Sequence, residues 1–155
     1  MKTESLERVL RAHPFCRGMS DAAFALLSGC ASNHKFASGE RLFRAGEEAD
    51  GTWLIRAGRV AFELPIGAAG RMPLETAEEG ELVGWAWLFP PYEYHFDAVA
   101  VGAVRALRLD GRCLRAKCEA DPAFGYDFVK RVLYQAHQRL ERSRLQAMDV
   151  YGVSR

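Results

Sequence analysis

The sequence predicts a mostly β protein with flanking α-helices: an antiparallel β-roll or jelly roll, with N-terminal helices before it and a long C-terminal helix after it. Short apolar segments alternate with glycine turns from residue 34 to about residue 110, as in rolls built from many short strands. Helical apolar repeats come before and after this region. The 155 residues suffice for one domain with a sizeable core, so residues 1–155 are taken as a single domain.

Residues 1–33 are predicted to form two short helices. The segment SLERVLRAHPF has an amphipathic pattern that Pro14 ends. The segment MSDAAFALLSGCA contains Ser20, a good N-cap residue, and runs to Gly29, which suits a helix end.

Residues 34–110 are predicted to form the roll. Pairs such as SG, AG and DG separate strand-like segments, GAAG forms a hairpin loop, and DAVAVGAVRALRLD gives two strands. Gly39, Gly46 and Gly58 are expected where the chain reverses with a positive φ, because glycine has no Cβ to oppose that conformation. These glycines are therefore assigned to the scaffold.

Residues 111–152 are predicted to form a hinge and one long helix. Asp121 is the expected N-cap, Pro122 takes the first helical position, and the helix runs to Met148. Such a helix either packs lengthwise on the roll or projects and pairs with its copy in a second subunit. Its length relative to a small roll favours the second arrangement. Its apolar stripe recurs at four-residue intervals and consists of Phe124, Phe128, Val132, Ala136 and Leu140, with Val129 and Leu133 beside them.

Charge and hydropathy exclude several classes of partner. The formal net charge is +1, so no overall field attracts the chain to nucleic acid or to an anionic membrane. The sequence contains no run of about 18 apolar residues, so no transmembrane helix is predicted. The N-terminal segment MKTESLERVLRAHPF lacks the apolar stretch of a signal peptide, so a cytoplasmic location is expected.

The cysteines and histidines do not predict a metal site or an enzyme. Cys16, Cys30, Cys113 and Cys118 are scattered, and in a reducing compartment they are expected simply as small buried or half-buried residues. The four histidines are equally dispersed, so a metal-dependent enzyme of the cupin kind is not predicted. There is also no nucleophile–base pair and no Gly-rich phosphate loop of the ATPase type.

The order of the elements resembles the cyclic-nucleotide-binding domain superfamily, and within it the effector half of the Crp/Fnr-type transcription regulators. The stretch FASGERLFRAGEEADGTWLIRAGRVAFEL is similar to the most recognisable segment of that family. The resemblance covers nearly the whole chain and implies a β-roll with a cyclic nucleotide such as cAMP or cGMP as its ligand. The matching positions are Gly39, Glu40, Leu42, Phe43, Gly46, Asp50, Trp53, Ile55, Gly58 and Val60.

The resemblance also implies a place for the ligand. In this family it lies inside the roll on a phosphate-binding cassette, whose glutamate bonds the ribose hydroxyl and whose arginine neutralises the cyclic phosphate. Gly80, Glu81 and Leu82 match the opening of that cassette. Glu81 is thus the candidate ribose contact, and the alternative is an ordinary surface turn residue.

The cassette arginine has no counterpart here. By strand register its place falls on Tyr94 or His95, and no arginine occurs between Arg71 and Arg105. Burying a phosphate without a cation costs several kcal/mol. A neutral histidine at His95 carries no such charge, so it is not an equivalent of the arginine. This argues against ordinary high-affinity cAMP binding.

The aromatic segment GWAWLFPPYEYHF follows the Gly-Glu pair. Its first part, Trp85, Trp87, Leu88 and Phe89, is predicted to pack against the roll. Tyr92, Tyr94 and Phe96 flank Pro90 and Pro91 and are expected to face the cavity, where they either stack on a ligand ring or fill its space. The candidate ligand-binding residues are therefore Gly80, Glu81, Leu82, Val83, Tyr94, His95 and Phe96.

Three functional hypotheses follow. The first is a non-catalytic sensor or regulatory module that binds a cyclic nucleotide or another small ligand in the roll and signals through a homodimer formed by its C-terminal helix. The second is a ligand-free interaction module of the same fold, and the third is a Crp/Fnr-type relative that acts through a protein partner. No helix-turn-helix segment follows the long helix, so direct DNA binding is not expected.

Overall fold

The computed structural model describes residues 3–150 and residue 152, and it confirms the predicted fold class. None of the helices in the described residues is both long enough and apolar enough to cross a membrane. The helices are α1 (Thr3–Ala12), α2 (Asp21–Ser28), α3 (Gly111–Ala120) and α4 (Pro122–Val150). The strands are β1 (Ala31–Phe36), β2 (Arg41–Phe43), β3 (Gly51–Pro65), β4 (Arg71–Ala77), β5 (Leu82–Val83) and β6 (Asp97–Asp110).

The six strands form one antiparallel sheet organised around β3 and β6, which pair along most of their length. β1 and β2 extend the sheet from β6, and β4 and β5 extend it from β3. The prediction of two strands in DAVAVGAVRALRLD was wrong, because β6 continues from Asp97 to Asp110. Gly102 has a positive φ but lies at a register shift inside this strand and not at a chain reversal.

Positive φ values at the three scaffold glycines confirm the conformational part of the prediction: 88° at Gly39, 86° at Gly46 and 95° at Gly58. The expected chain reversal is wrong for Gly58, which lies within β3. There the β3–β6 register shifts on both sides of Ala57. Gly58 therefore lies at a β-bulge, which places an extra residue in β3 without ending the strand.

The apolar side chains divide between two core regions because successive residues of a strand point to opposite faces. Trp53 and Ile55 point into the roll, whereas Leu54 points toward the helices. The same alternation sends Leu82 outward and Val83 inward. The region between helices and sheet also holds Leu10, Leu27, Trp87, Leu107, Leu109, Leu114 and Phe128.

The helix boundaries agree with the local signals in the sequence. The Ser20 hydroxyl accepts a hydrogen bond from the Ala23 amide at 3.1 Å, and the Asp121 carboxylate accepts one from the Phe124 amide at 3.2 Å. α4 begins at Pro122 and has 29 residues.

The apolar stripe predicted for α4 divides between two faces of the helix. Phe124, Phe128 and Val132 are buried, but Leu133 and Leu140 are exposed. Four residues advance an α-helix by about 400°, so each four-residue step rotates the side chain by about 40°. A repeat of four therefore drifts from the buried face to the exposed one.

The segment expected to be a hinge folds as α3, and it carries a correction to the cysteine prediction. Cys30, just before β1, forms a disulfide with Cys113 on α3, with the two Cα atoms 5.7 Å apart. Cys16 is buried and Cys118 is half-buried, as expected for small apolar residues. The pair was missed because its members are separated by 83 residues and meet only in the folded chain.

Candidate functional site

The cassette opening lies along β3 at the side of the roll. The Gly80 amide donates to the Ile55 carbonyl and the Ile55 amide donates to the Glu81 carbonyl, both at 2.9 Å. Leu82 and Val83 then continue the pairing as β5 and are fully buried. Gly80 has a φ of 90°, and a Cβ there would lie 3.2 Å from Pro14. Backbone pairing and close packing therefore fix the position of Glu81.

The Glu81 side chain is bound by arginines of α4. Both of its carboxylate oxygens accept hydrogen bonds from Arg142, at 3.2 Å each, in a fork-to-fork pair. Arg139 approaches the same carboxylate with its Nη2 at 3.5 Å. Glu81 is the predicted ribose contact, and this role stays a prediction. Any ligand that uses this carboxylate competes with Arg142 and Arg139.

Gln135 joins α4 directly to the backbone of the cassette. Its Nε2 donates to the Leu82 carbonyl and its Oε1 accepts from the Leu82 amide, both at 2.9 Å. Gln135 is only 7% exposed, so these bonds form in an environment largely without water. The side-chain amide thus pairs with Leu82 as a neighbouring strand would.

Arg139 is a deeply buried charged side chain, at 3% exposure. Its guanidinium lies 4.9 Å from the ring centroids of both Phe62 and Trp85. Nη2 donates to the Leu82 carbonyl at 3.1 Å, and Nε lies 3.8 Å from the Glu75 carboxylate without a hydrogen-bond partner. A cation therefore occupies the boundary between roll and helix.

Burial shapes the ionisation of this cluster. It lowers the pKa of Arg139 from its ordinary value, although Glu75 and Glu81 oppose the shift. Burial raises the pKa of Glu75, and the positive charges of Arg139 and Arg142 oppose that shift. The α4 arginines and the two carboxylates thus form one electrostatic unit.

The aromatic part of the predicted site lies beside Arg139. Tyr94 is 5% exposed, and its ring stacks on Phe43 with centroids 3.8 Å apart. The Tyr94 hydroxyl donates to the Gly51 carbonyl at 2.8 Å, and burial raises the pKa of Tyr94 to about 12. Phe96 packs against Phe62 at 5.0 Å. Tyr94 therefore fills the roll interior.

The remaining aromatic residues agree with the predictions only in part. Trp87 is fully buried and Trp85 is half-buried, as predicted for side chains that pack. Phe89 is 47% exposed, so its predicted packing was wrong. Tyr92 has a φ of 57° and its ring lies under the guanidinium of Arg115 at 4.4 Å. This contact holds Tyr92 against α3.

A cavity of about 50 Å³ remains between these aromatic side chains and α4. Tyr94, His95 and Phe96 line it together with Arg139. Glu81 does not line this cavity but a larger groove of about 1080 Å³ along α4. The structure thus places the two halves of the predicted site on different surfaces, with Arg139 at the boundary.

The sequence analysis did not identify Arg139 as a site residue, because a basic residue on a helix is ordinarily solvated. A signal was present in its spacing. Arg139 follows Gln135 by four residues and Val132 by seven, which places all three on one face of the helix. The apolar face that starts at Phe128 therefore reaches Arg139.

Comparison with known proteins agrees with the fold of the chain. The sequence model of a family described as the cyclic nucleotide-binding domain matches residues 33–121, more than half of the chain. No curated protein sequence matches the chain significantly. Within residues 6–150 and 152, no group of three or more His, Cys, Asp or Glu side chains is placed to hold a metal ion.

Solved structures share the fold over most of the chain. A putative cyclic nucleotide-binding protein from Geobacter metallireducens GS-15 is 25% identical with a TM-score of 0.78, over 88% of this chain and 98% of that one. The N-terminal domain of a transcriptional regulator from Streptomyces coelicolor A3(2) is 23% identical with a TM-score of 0.65, over 86% and 94%. The regulatory subunit of a cAMP-independent protein kinase A from Trypanosoma brucei is 23% identical with a TM-score of 0.70, over 92% and 51%.

Proposed function

We propose that this chain, which belongs to the cyclic nucleotide-binding domain family, is a non-catalytic regulatory module that binds a small ligand in the roll and signals through α4. A cyclic nucleotide is the ligand that the family suggests. The observation that carries the proposal is the direct contact between the cassette opening and α4. Gln135, Arg139 and Arg142 all bind Glu81 or Leu82.

This contact gives a physical route from ligand to helix. A ligand hydroxyl that bonds Glu81 weakens the pairing of that carboxylate with Arg142 and Arg139. The ligand therefore stabilises an arrangement in which α4 is held differently on the cassette. A ligand shifts the population only by its difference in affinity for the two arrangements.

A second candidate function is a ligand-free interaction module, and the packing of Tyr94 favours it. The cavity of about 50 Å³ is much smaller than the roughly 300–1,000 Å³ usual for small-molecule sites. A nucleotide enters only if Tyr94 or Phe96 moves. The Trypanosoma brucei neighbour is described as cAMP-independent, so the fold by itself does not select cAMP.

Thermal unfolding with cAMP and cGMP separates the two functions. A ligand at 100 times its Kd stabilises the folded chain by about 2.7 kcal/mol, which raises Tm by roughly 5–10 °C for a domain of this size. We expect Glu81→Gln to reduce the shift, because the amide keeps the shape but lacks the charge. Glu79→Gln, on the exposed turn nearby, is the matched control. If neither nucleotide moves the Tm of the unmodified chain, the ligand-free function replaces the first.

We also propose that the module is a homodimer that pairs through the exposed face of α4. Apolar residues on this face follow in steps of three and four from Tyr126 to Leu140, which is the heptad spacing of a two-stranded coiled coil. The polar Ser143 takes the next heptad position, and Ala147 and Val150 continue the spacing after it. Leu133 is 66% exposed and Leu140 is 48% exposed. A second copy of α4 offers the same spacing and covers both. The face consists of Tyr126, Val129, Leu133, Ala136, Leu140, Ala147 and Val150.

Introducing negative charges into the proposed interface tests the dimer. The double variant Leu133→Glu, Leu140→Glu places like charges opposite each other at the interface, so we expect a monomer by light scattering. Tyr134→Glu is the control, since Tyr134 is 62% exposed but lies outside the heptad face. A double variant that remains dimeric, or an unmodified chain that is monomeric at high micromolar concentration, rules out this interface.

A further inference from the structure

The small cavity between the roll and α4 combines aromatic walls with one buried cation. Phe43, Trp85, Tyr94 and Phe96 supply the walls and Arg139 supplies the guanidinium. Flat aromatic faces suit a planar ring, and a guanidinium suits the oxygens of a phosphate. The chemistry of the cavity is therefore that of a site for an anion that carries a ring.

The hydrogen bonding of Arg139 is incomplete on the side of Nε. Nη2 donates to the Leu82 carbonyl at 3.1 Å, while the buried Nε has no hydrogen-bond partner among the described residues. A buried donor without an acceptor carries a desolvation cost. An acceptor oxygen that reaches Nε removes that cost.

The carboxylates near Arg139 hold it only loosely. Glu81 lies 3.5 Å from Nη2 and Glu75 lies 3.8 Å from Nε, whereas charge-assisted N–H···O bonds are about 2.7–2.9 Å long. Arg142 makes the shorter contacts with Glu81, at 3.2 Å. A ligand oxygen therefore displaces little when it binds Arg139, and Arg142 continues to neutralise Glu81.

We propose that Arg139 is the charge partner of the ligand: the phosphate, or another anionic group, binds the guanidinium of Arg139, while the ring of the ligand lies beside Phe43 in space opened by movement of Tyr94 or Phe96. The inference rests on the proposed function for the class of ligand and on the cavity for the position of the charge. The cation that the cassette lacks at Tyr94 or His95 is supplied by α4. The charge of the ligand thus acts directly on the helix that carries the signal.

Titration calorimetry with four probes tests the inference: cAMP, the neutral nucleoside adenosine, phenyl phosphate as a small ring-bearing anion, and phenol as its neutral counterpart. We expect the unmodified chain to bind each anion more tightly than its neutral counterpart. Loss of a charge-assisted hydrogen bond costs about 10- to 100-fold in affinity. Arg139→Met is therefore expected to weaken both anions by that factor and to leave the neutral probes nearly unchanged.

Arg144→Met is the matched control, because Arg144 is an exposed arginine of the same helix that bonds Glu141 and does not line the cavity. We expect it to keep the preference for anions. Arg139→Lys covers the case in which Arg139→Met does not fold. Lysine keeps the charge but loses the two-pronged geometry of the guanidinium, so we expect this variant to weaken anion binding several-fold, whereas Arg144→Lys does not.

The outcomes separate this inference from the proposed function. If cAMP binds equally well to the unmodified chain and to both Arg139 variants, the inference is wrong and the nucleotide function stands. If only phenyl phosphate binds, and its binding depends on Arg139, the inference stands and the nucleotide function is wrong. If neither anion binds the unmodified chain, both are wrong.

Discussion

Replacing Gly58 by alanine is expected to destabilise the fold by about 2–6 kcal/mol. The φ of Gly58 is 95°, which L side chains rarely adopt, and such a conformation costs about 1–3 kcal/mol. A Cβ there would overlap the Ala103 carbonyl oxygen and lie 3.0 Å from the Val104 side chain. Relieving that overlap requires β3 and β6 to separate locally, and overpacking of this kind costs a further 1–3 kcal/mol or so. The change in the free energy of unfolding is measured by urea unfolding, monitored through tryptophan fluorescence.

Gly102→Ala is the control for the conformational part alone. Gly102 also has a positive φ, of 73°, but an added Cβ meets nothing within 4 Å. This variant is expected to lose only about 1–2 kcal/mol. Equal losses in the two variants would mean that the contact with Ala103 contributes nothing.

Gly58 also shows which parts of the fold the sequence predicts. A glycine between β-type residues indicates a positive φ, and this was confirmed because the steric cost of a Cβ is local. Whether the chain turns or only bulges there depends on the partner strand, which the local pattern does not contain. The same holds for Gly102: it was interpreted as a turn between two strands, but it lies inside the single strand β6.

In the candidate site, too, the local motif could be predicted from the sequence, whereas the contact between distant residues could not. Gly80-Glu81-Leu82 is a contiguous motif, and the structure places it on β3 in a defined position. Arg139 lies more than fifty residues further along the chain, and only the packing of α4 brings it to Leu82. A basic residue on a helix is usually solvated, so its burial could be inferred only from its spacing after Phe128.

Replacing Phe128 by alanine is expected to destabilise the chain by about 3–5 kcal/mol, the usual cost of removing a fully buried phenylalanine. Phe128 is 0% exposed on the inner face of α4. Its ring lies 5.5 Å from Phe15, 5.8 Å from Trp87 and 5.9 Å from Phe124, measured between centroids. It therefore joins α4 to the N-terminal helices and to the turn that follows the cassette opening. Urea unfolding and hydrogen exchange of the α4 amides measure the effect.

Tyr134→Ala is the matched control, because it removes an aromatic ring from the same helix at a position that is 62% exposed. Its cost is expected to stay within about 0.5 kcal/mol. Since Phe128 contacts Trp87, the cavity left by Phe128→Ala also loosens the support of the cassette turn. We therefore expect faster exchange at the amide of Leu82, which Gln135 holds from the same helix. Unchanged exchange at Leu82 in a destabilised Phe128→Ala chain would show that α4 and the cassette open independently, and that coupling through the helix is not built into this packing.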